Sequence, residues 1–216
     1  MGWSAGKRIW ITGSSSGIGR AIALGAASAG ARLVLSGRNA ERLEEVAGLC
    51  RGVFPERSPE GSVAELLPFD VSDPESRRNA LDAVGEPLDG LINNAGVSQR
   101  SRATETKAKI YEQLWQTNVQ SSMELTLGVL PFLRRSEDPR IVAVSSIAGE
   151  LYGPQRSGYG ATKAAMNAFF YSLRSELWEL GIPVTVVIPG FVRTEVSKNA
   201  LTGEGGRHGV MDPIQA

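Results

Sequence analysis

Six short apolar runs recur along this chain, with a longer helical pattern between most neighbours. They are RIWIT (8–12), RLVLS (32–36), AELLPFD (64–70), DGLIN (89–93), RIVAVS (140–145) and PVTVVI (183–188). A strand with one wet face alternates apolar and polar residues, so near-continuous apolar runs predict strands covered on both faces. The covering helices are expected at about 18–29, 40–50, 74–84, 107–135 and 158–180. Asp73-Pro74 reads as a helix cap followed by proline in the first turn, and Gly30 and Gly181 stand where helices should stop. A strand–helix repeat of this kind predicts a parallel sheet, and right-handed crossovers give it the order 3-2-1-4-5-6. The expected fold is therefore a Rossmann-type, doubly wound α/β sheet in three α-β-α layers. At 216 residues the chain is most simply one domain, 1–216. The Pro/Gly-rich stretch CRGVFPERSPEG (50–61) reads as a solvated surface loop.

The first strand runs straight into TGSSSGIG, Thr12 to Gly19, and a helix follows at once. Gly13, Gly17 and Gly19, with the small Ser15 and Ser16 and with Ile18, let the backbone turn tightly and approach a pyrophosphate. The free amides and positive end of the helix complete such a site. A simple turn is the alternative, but the strand before and the helix after favour the phosphate reading. The end of the second strand refines it. A site for NAD usually places an acid there to bind the ribose hydroxyls. Here the letters are Ser36-Gly37-Arg38-Asn39, with no carboxylate before Glu41. A guanidinium grips a 2′-phosphate that a carboxylate would repel. NADP(H) is the expected cofactor, with a solvated surface arginine as the alternative for Arg38.

In YGATK, Tyr159 and Lys163 are four residues apart, so both side chains leave one face of a helix. A phenol normally titrates near pH 10 and is a poor base at neutral pH. At about 4 Å and an effective dielectric of 20, an ammonium would favour the phenolate by roughly 4 kcal/mol. That is up to about three pKa units, enough to make a proton shuttle without histidine. The one histidine, His208, reads as a loop residue in LTGEGGRHGVMD. Net charge is zero, so nothing suggests a nucleic-acid footprint or a basic membrane surface, and the expected partner is a small molecule. A single cysteine, Cys50, and no Cys/His cluster of zinc spacing predict a reducing, cytoplasmic setting and no metal. No apolar run reaches membrane-spanning length, MGWSAGKRIW is expected to leave no room for a signal peptide, and Gly6 stands where a myristoylation pattern wants Ser or Thr.

TGSSSGIG, LINNAG (91–96), Asn118, VSSIAG (144–149), YGATK and IPG (188–190) follow one another in this order. Together they resemble the short-chain dehydrogenase/reductase family, in its compact single-domain branch, over nearly the whole chain. NALTGEGGRHGVMD looks like the tail of one subgroup of that family, whose members are thought to carry a membrane anchor. The resemblance implies a catalytic set of Asn118, Ser146, Tyr159 and Lys163, with Ser145 the less favoured serine. It further implies that Asp70 and Val71 contact adenine and that Asn94, Ala95 and Gly96 lie beside the adenosine ribose. Pro189, Gly190, Val192 and Thr194 would hold the nicotinamide carboxamide, and Lys163 the ribose hydroxyls. The implied reaction moves a hydride between nicotinamide and a ketone, aldehyde or secondary alcohol. Tyr159 would then be the acid/base, Ser146 a donor to the carbonyl oxygen, and Asn118 the holder of a water beside Lys163.

The family also normally carries a seventh strand, which would be missing if the chain ends at Ala216. PVTVVI would then be a bare sheet edge. The alternative reading follows from this: an inert, shortened member that binds NADP(H) or senses redox state. By the same resemblance the helices at 107–135 and 158–180 would pair two copies into a homodimer. AAMNAFFYSLRSELWEL is apolar all round, more than covering one sheet requires, with burial inside the monomer as the alternative. ELYGPQRSG (150–158) and the loop after Thr194 should line the substrate pocket. Leu151, Tyr152, Phe191 and Met211 there point to a mainly apolar carbonyl or alcohol.

Overall fold

Strand β1 (Arg8–Thr12) is buried along its whole length and pairs in parallel with β2 (Arg32–Gly37) on one side and β4 (Gly90–Asn93) on the other. With β3 (Ala64–Pro68), β5 (Arg140–Val144) and β6 (Val184–Val187) it forms a six-stranded sheet of order 3-2-1-4-5-6. These features belong to a computed structural model, which describes residues 3–54, 63–85 and 87–211. Both expectations, the α/β doubly wound class and the strand order, are borne out.

Neighbouring residues on β1 serve opposite layers, as the period of two requires. Trp10 joins a core with Leu91, Ile141, Val129 and Phe170, which brings in helices α3 (Pro74–Val84), α5 (Ser121–Leu133) and α6 (Ser157–Glu176). Ile9 and Ile11 join the other core with Ala23, Ala27, Leu43 and Val46, from helices α1 (Gly17–Ser28) and α2 (Ala40–Val53). The buried Trp10 indole donates to Ser36 Oγ at 2.6 Å, so the central strand's polar atom is satisfied across the sheet.

Local signals set the helix ends. Asp73 accepts from Ser76 N–H at 2.7 Å, with Pro74 opening α3, and Asn39 accepts from Arg42 N–H at 2.8 Å to open α2. Gly30, at φ 85°, turns the chain out of α1. Two expectations change. Cys50 is buried inside α2 rather than opening the loop at 50–61, whose residues from 55 onward lie outside those described. The helix expected at 107–135 is two helices, α4 (Ala108–Trp115) and α5, joined by a π turn over Gln116–Gln120.

Thr12, Gly37, Asn93, Val144 and Val187 end five of the parallel strands on one edge of the sheet. From β1 the chain runs outward through β2 to β3, then crosses back through α3 to β4 on the other side of β1, and this reversal opens a crevice at that edge between β1 and β4.

Candidate active site

The turn Gly13–Gly19 sits in this crevice under tight restraint. Gly13 has φ 65° and Gly17 φ 54°, conformations that favour glycine. A Cβ on Gly13 would lie 2.8 Å from Ala95 Cα, and one on Gly19 would strike Gly13 O and Asn94 Nδ2. Asn94 clips the turn by donating from Nδ2 to Thr12 O and Gly13 O, both at 3.0 Å. Thr12 Oγ1 accepts from Asn94 N–H at 3.0 Å and from Ala95 N–H at 3.1 Å. Ser16 caps α1 without a side-chain bond, so the opening amides of that helix keep their capacity for an anion. Absent side chains in the cradle and uncapped amides at the helix mouth fit a pyrophosphate.

Ser15 lies against the end of β2, its Oγ 3.2 Å from where a Gly37 Cβ would stand. Arg38 follows, exposed, with no ion pair among the described residues. Asp70 turns toward its own loop, where Oδ1 accepts from Ser72 N–H at 2.9 Å and Ser72 Oγ–H at 2.8 Å. Val71 is buried, and its carbonyl accepts from the buried Arg77 at 2.8 Å. Arg77 also donates to Glu124 Oε2 at 2.6 Å and to Gln116 Oε1 at 3.3 Å, so it ties α3 to α5 and the π turn.

The π turn aims Asn118 inward. Its Oδ1 accepts from Val97 N–H at 2.8 Å, and its Nδ2 donates to Val97 O and Thr162 Oγ1, each at 2.9 Å. A Cβ on Gly96 would lie 3.2 Å from Asn118 Oδ1 and 3.6 Å from Lys163 Nζ, so these three residues meet at the end of β4. Lys163 is buried on α6 and donates to Val144 O at 2.9 Å. Burial, with no carboxylate to compensate, lowers its pKa to about 8.

Ser146 opens a short 3₁₀ turn after β5. Its Oγ accepts from Ala148 N–H at 3.2 Å. Ser145 is buried, its hydroxyl donating instead to Lys163 O at 3.4 Å. The phenol differs from the sequence reading, which had Lys163 pulling its pKa down. Burial pushes the Tyr159 pKa above its ordinary value; the nearby Ser146 hydroxyl and the Arg156 charge offset this only in part. Desolvation wins because the ring is enclosed, and the ammonium is spent on a backbone carbonyl.

The segment after β6 closes the crevice from the other side. Pro189 O accepts from Ile147 N–H at 2.9 Å, and Thr194 Cγ2 stands 3.3 Å from where a Gly17 Cβ would be. Gly190 and Val192 are exposed beside them. Leu151, Tyr152 and Phe191 are all more than half exposed, at 69%, 75% and 59%. The crevice thus has a polar floor and an apolar rim. Sequence reasoning assigned no role to Gln99, Arg77, Arg156 or Thr162, although Thr162 lies inside YGATK and Arg156 inside the segment 150–158.

A family model described as short chain dehydrogenase matches residues 7–205. The chain is 40% identical over 211 residues to dehydrogenase/reductase SDR family member 7B from Bos taurus, covering 95% of this chain and 64% of that protein. It is 37% identical over 217 residues to a dehydrogenase/reductase SDR family protein 7-like from Drosophila melanogaster, covering 98% and 65%. It thus spans less than two thirds of the length of these relatives. Among solved structures, a short chain dehydrogenase/reductase from Burkholderia phymatum in complex with NAD superposes with TM-score 0.82 at 28% identity, covering 91% of this chain and 70% of that one. L-Sorbose reductase from Gluconobacter frateurii, complexed with NADPH and L-sorbose, gives 0.80 at 32% identity, covering 88% and 71%.

Proposed function

Because the chain belongs to the short-chain dehydrogenase family, we propose that it is an NADP(H)-dependent carbonyl reductase, acting on a ketone or aldehyde and, in reverse, on a secondary alcohol. The observation that carries this reading is the meeting of Lys163, Asn118 and Gly96 at the end of β4, with the buried Tyr159 one helical turn before Lys163 on α6. The nicotinamide, when bound, supplies the hydride to the carbonyl carbon or takes it back in reverse.

The protein's own groups do the rest. The backbone of Gly13 to Gly19 and the mouth of α1 hold the pyrophosphate, and Arg38 the 2′-phosphate. Asp70 and Val71 flank the adenine, and Asn94, Ala95 and Gly96 the adenosine ribose. Pro189, Gly190, Val192 and Thr194 hold the carboxamide, and Lys163 the neighbouring ribose. Tyr159 gives its phenolic proton to the carbonyl oxygen as that oxygen gains the electron pair of the C=O π bond, and Ser146 donates a second hydrogen bond to the same oxygen. A phenol pushed up by burial stays protonated at neutral pH and is ready to donate. Asn118 fixes the main chain beside Lys163.

One solved relative carries NAD and another NADPH. Arg38, with no carboxylate before Glu41, favours NADP(H) here. The apolar rim favours a mainly apolar substrate. A homodimer through α4, α5 and α6 accords with the half-exposed Trp115, Leu127 and Tyr171 on those helices.

The test follows NADPH absorbance with a panel of aldehydes and ketones. Tyr159→Phe is expected to abolish turnover while the nucleotide affinity, read by fluorescence, changes less than about twofold. Arg38→Asp is expected to weaken NADPH binding by about tenfold or more and to leave NADH binding intact, as loss of a charged hydrogen bond predicts. Wild-type turnover in Tyr159→Phe would sink the mechanism. An unmoved NADPH/NADH ratio in Arg38→Asp would sink the cofactor choice.

A further inference from the structure

We propose that Gln99 is a positioning residue for the reaction: a buried clamp that fixes the first turn of α6, and with it Tyr159, against the loop after β4. Glutamine is usually a surface residue, yet Gln99 is fully buried, at 0% exposure. Its side chain is fully used. Oε1 accepts from Gly158 N–H at 3.1 Å, while Nε2 donates to Ser101 O at 2.8 Å, Ser101 Oγ at 2.9 Å and Thr106 Oγ1 at 3.4 Å.

The recipient amide explains the need. The cap residue of α6, Arg156, has a side chain with no acceptor to offer the helix amides, so the first amides of the helix must find acceptors elsewhere. Gln99 supplies one across 59 residues of sequence, to the residue directly before Tyr159. The same turn is pressed from the side, because a Cβ on Gly158 would lie 2.8 Å from both Leu114 Cδ1 and Tyr111 Cδ1. The neighbours of Gln99 repeat the pattern. Ser98 Oγ accepts from Arg156 Nη1 at 3.3 Å, and Ser101 N–H donates to Gln155 O at 3.1 Å. On its other side this loop pairs with the segment after β6: Leu201 N–H donates to Ser98 O and Arg100 N–H to Leu201 O, each at 2.8 Å. One short loop therefore holds the turn before the phenol and the far wall of the crevice together. A misplacement of about 1 Å at a reacting group can cost on the order of a hundredfold in rate, which is the leverage this clamp has.

The inference rests on Tyr159 being the proton donor, and the experiment separates the two. Gln99→Leu is nearly isosteric and removes both the donor and the acceptor. Amide hydrogen exchange of the cofactor-free chain is expected to rise about tenfold or more at 157–161 and to stay unchanged in α1. In the carbonyl panel with NADPH, kcat should fall about ten- to a hundredfold while nucleotide affinity stays within about twofold. The alkaline limb of the pH profile should move, because the burial and the Arg156 charge that set the phenol's pKa both depend on where this turn holds it. A purely structural role would not move that limb. If Gln99→Leu does not fold, Gln99→Asn, whose amide is too short to reach Gly158, is read for the same changes. Unaltered exchange at 157–161 in the variant that folds overturns the inference, as do unaltered kcat and pH limb with Tyr159→Phe inactive. Turnover in Tyr159→Phe removes the reading beneath it instead.

Discussion

Lys163 illustrates how one residue can trade stability for chemistry. Its ammonium is buried on α6 with a carbonyl and the Met166 sulfur as partners and no carboxylate. Its pKa falls from 10.5 to about 8, so between those values the unfolded chain binds more protons than the folded one. Stability contributed by this group therefore rises with pH through that window, and the burden is full below about 8. Lys163→Met should raise stability at pH 7, by up to about 3 kcal/mol on the size of the shift, with the gain shrinking toward pH 10. Chemical denaturation of both proteins at the two pH values checks this, and a gain that does not depend on pH would contradict it. Glu124 behaves in the opposite sense. Its hydrogen bond from Arg77 lowers its pKa below 4.5, so its contribution is present above that value and lost as the solution is acidified.

At the scale of elements, the π turn between α4 and α5 decides where Asn118 points. It adds a residue to the turn and swings the amide onto both backbone groups of Val97. Asn118→Ala would leave those groups unpaired beside the crevice, at a cost of about 1–3 kcal/mol. A thermal melt should show a lower Tm, and an unchanged one would mean that water replaces the amide. This turn also marks what a sequence can and cannot disclose. The strands were legible to within a residue or two, because continuous apolar runs have few other uses. The break at 116–120 was not, because QTNVQ carries no proline or glycine and reads as ordinary helix. The glycine turn was legible as a cradle. That Asn94 clips it shut was not, since an amide's partner depends on how two strand ends come together in space. The direction of the Tyr159 shift was misjudged for a related reason: spacing along a helix gives the distance to a charge but not the depth of burial. Gln99 was invisible because a glutamine in a loop looks solvated until its neighbours are known.

For the whole molecule, the paired-copy proposal turns on apolar surface left outside. α5 buries Leu125, Val129 and Leu133 yet leaves Leu127 50% exposed, and Tyr171 on α6 is 42% exposed. Light scattering is expected to give twice the 23.0 kDa chain mass, and Leu127→Glu to return it to one copy without loss of fold. A wild-type protein that already scatters as one copy would end that proposal. Among the described residues no helix is long and apolar enough to cross a membrane. The strand order has a consequence of its own. β1, made first, finds one neighbour within thirty residues but its other, β4, only after residue 90. A nascent chain leaving the ribosome thus carries a half-paired central strand through much of its synthesis. The nucleotide cradle, which waits for Asn94 to close it, cannot be finished until the first four strands have already been translated.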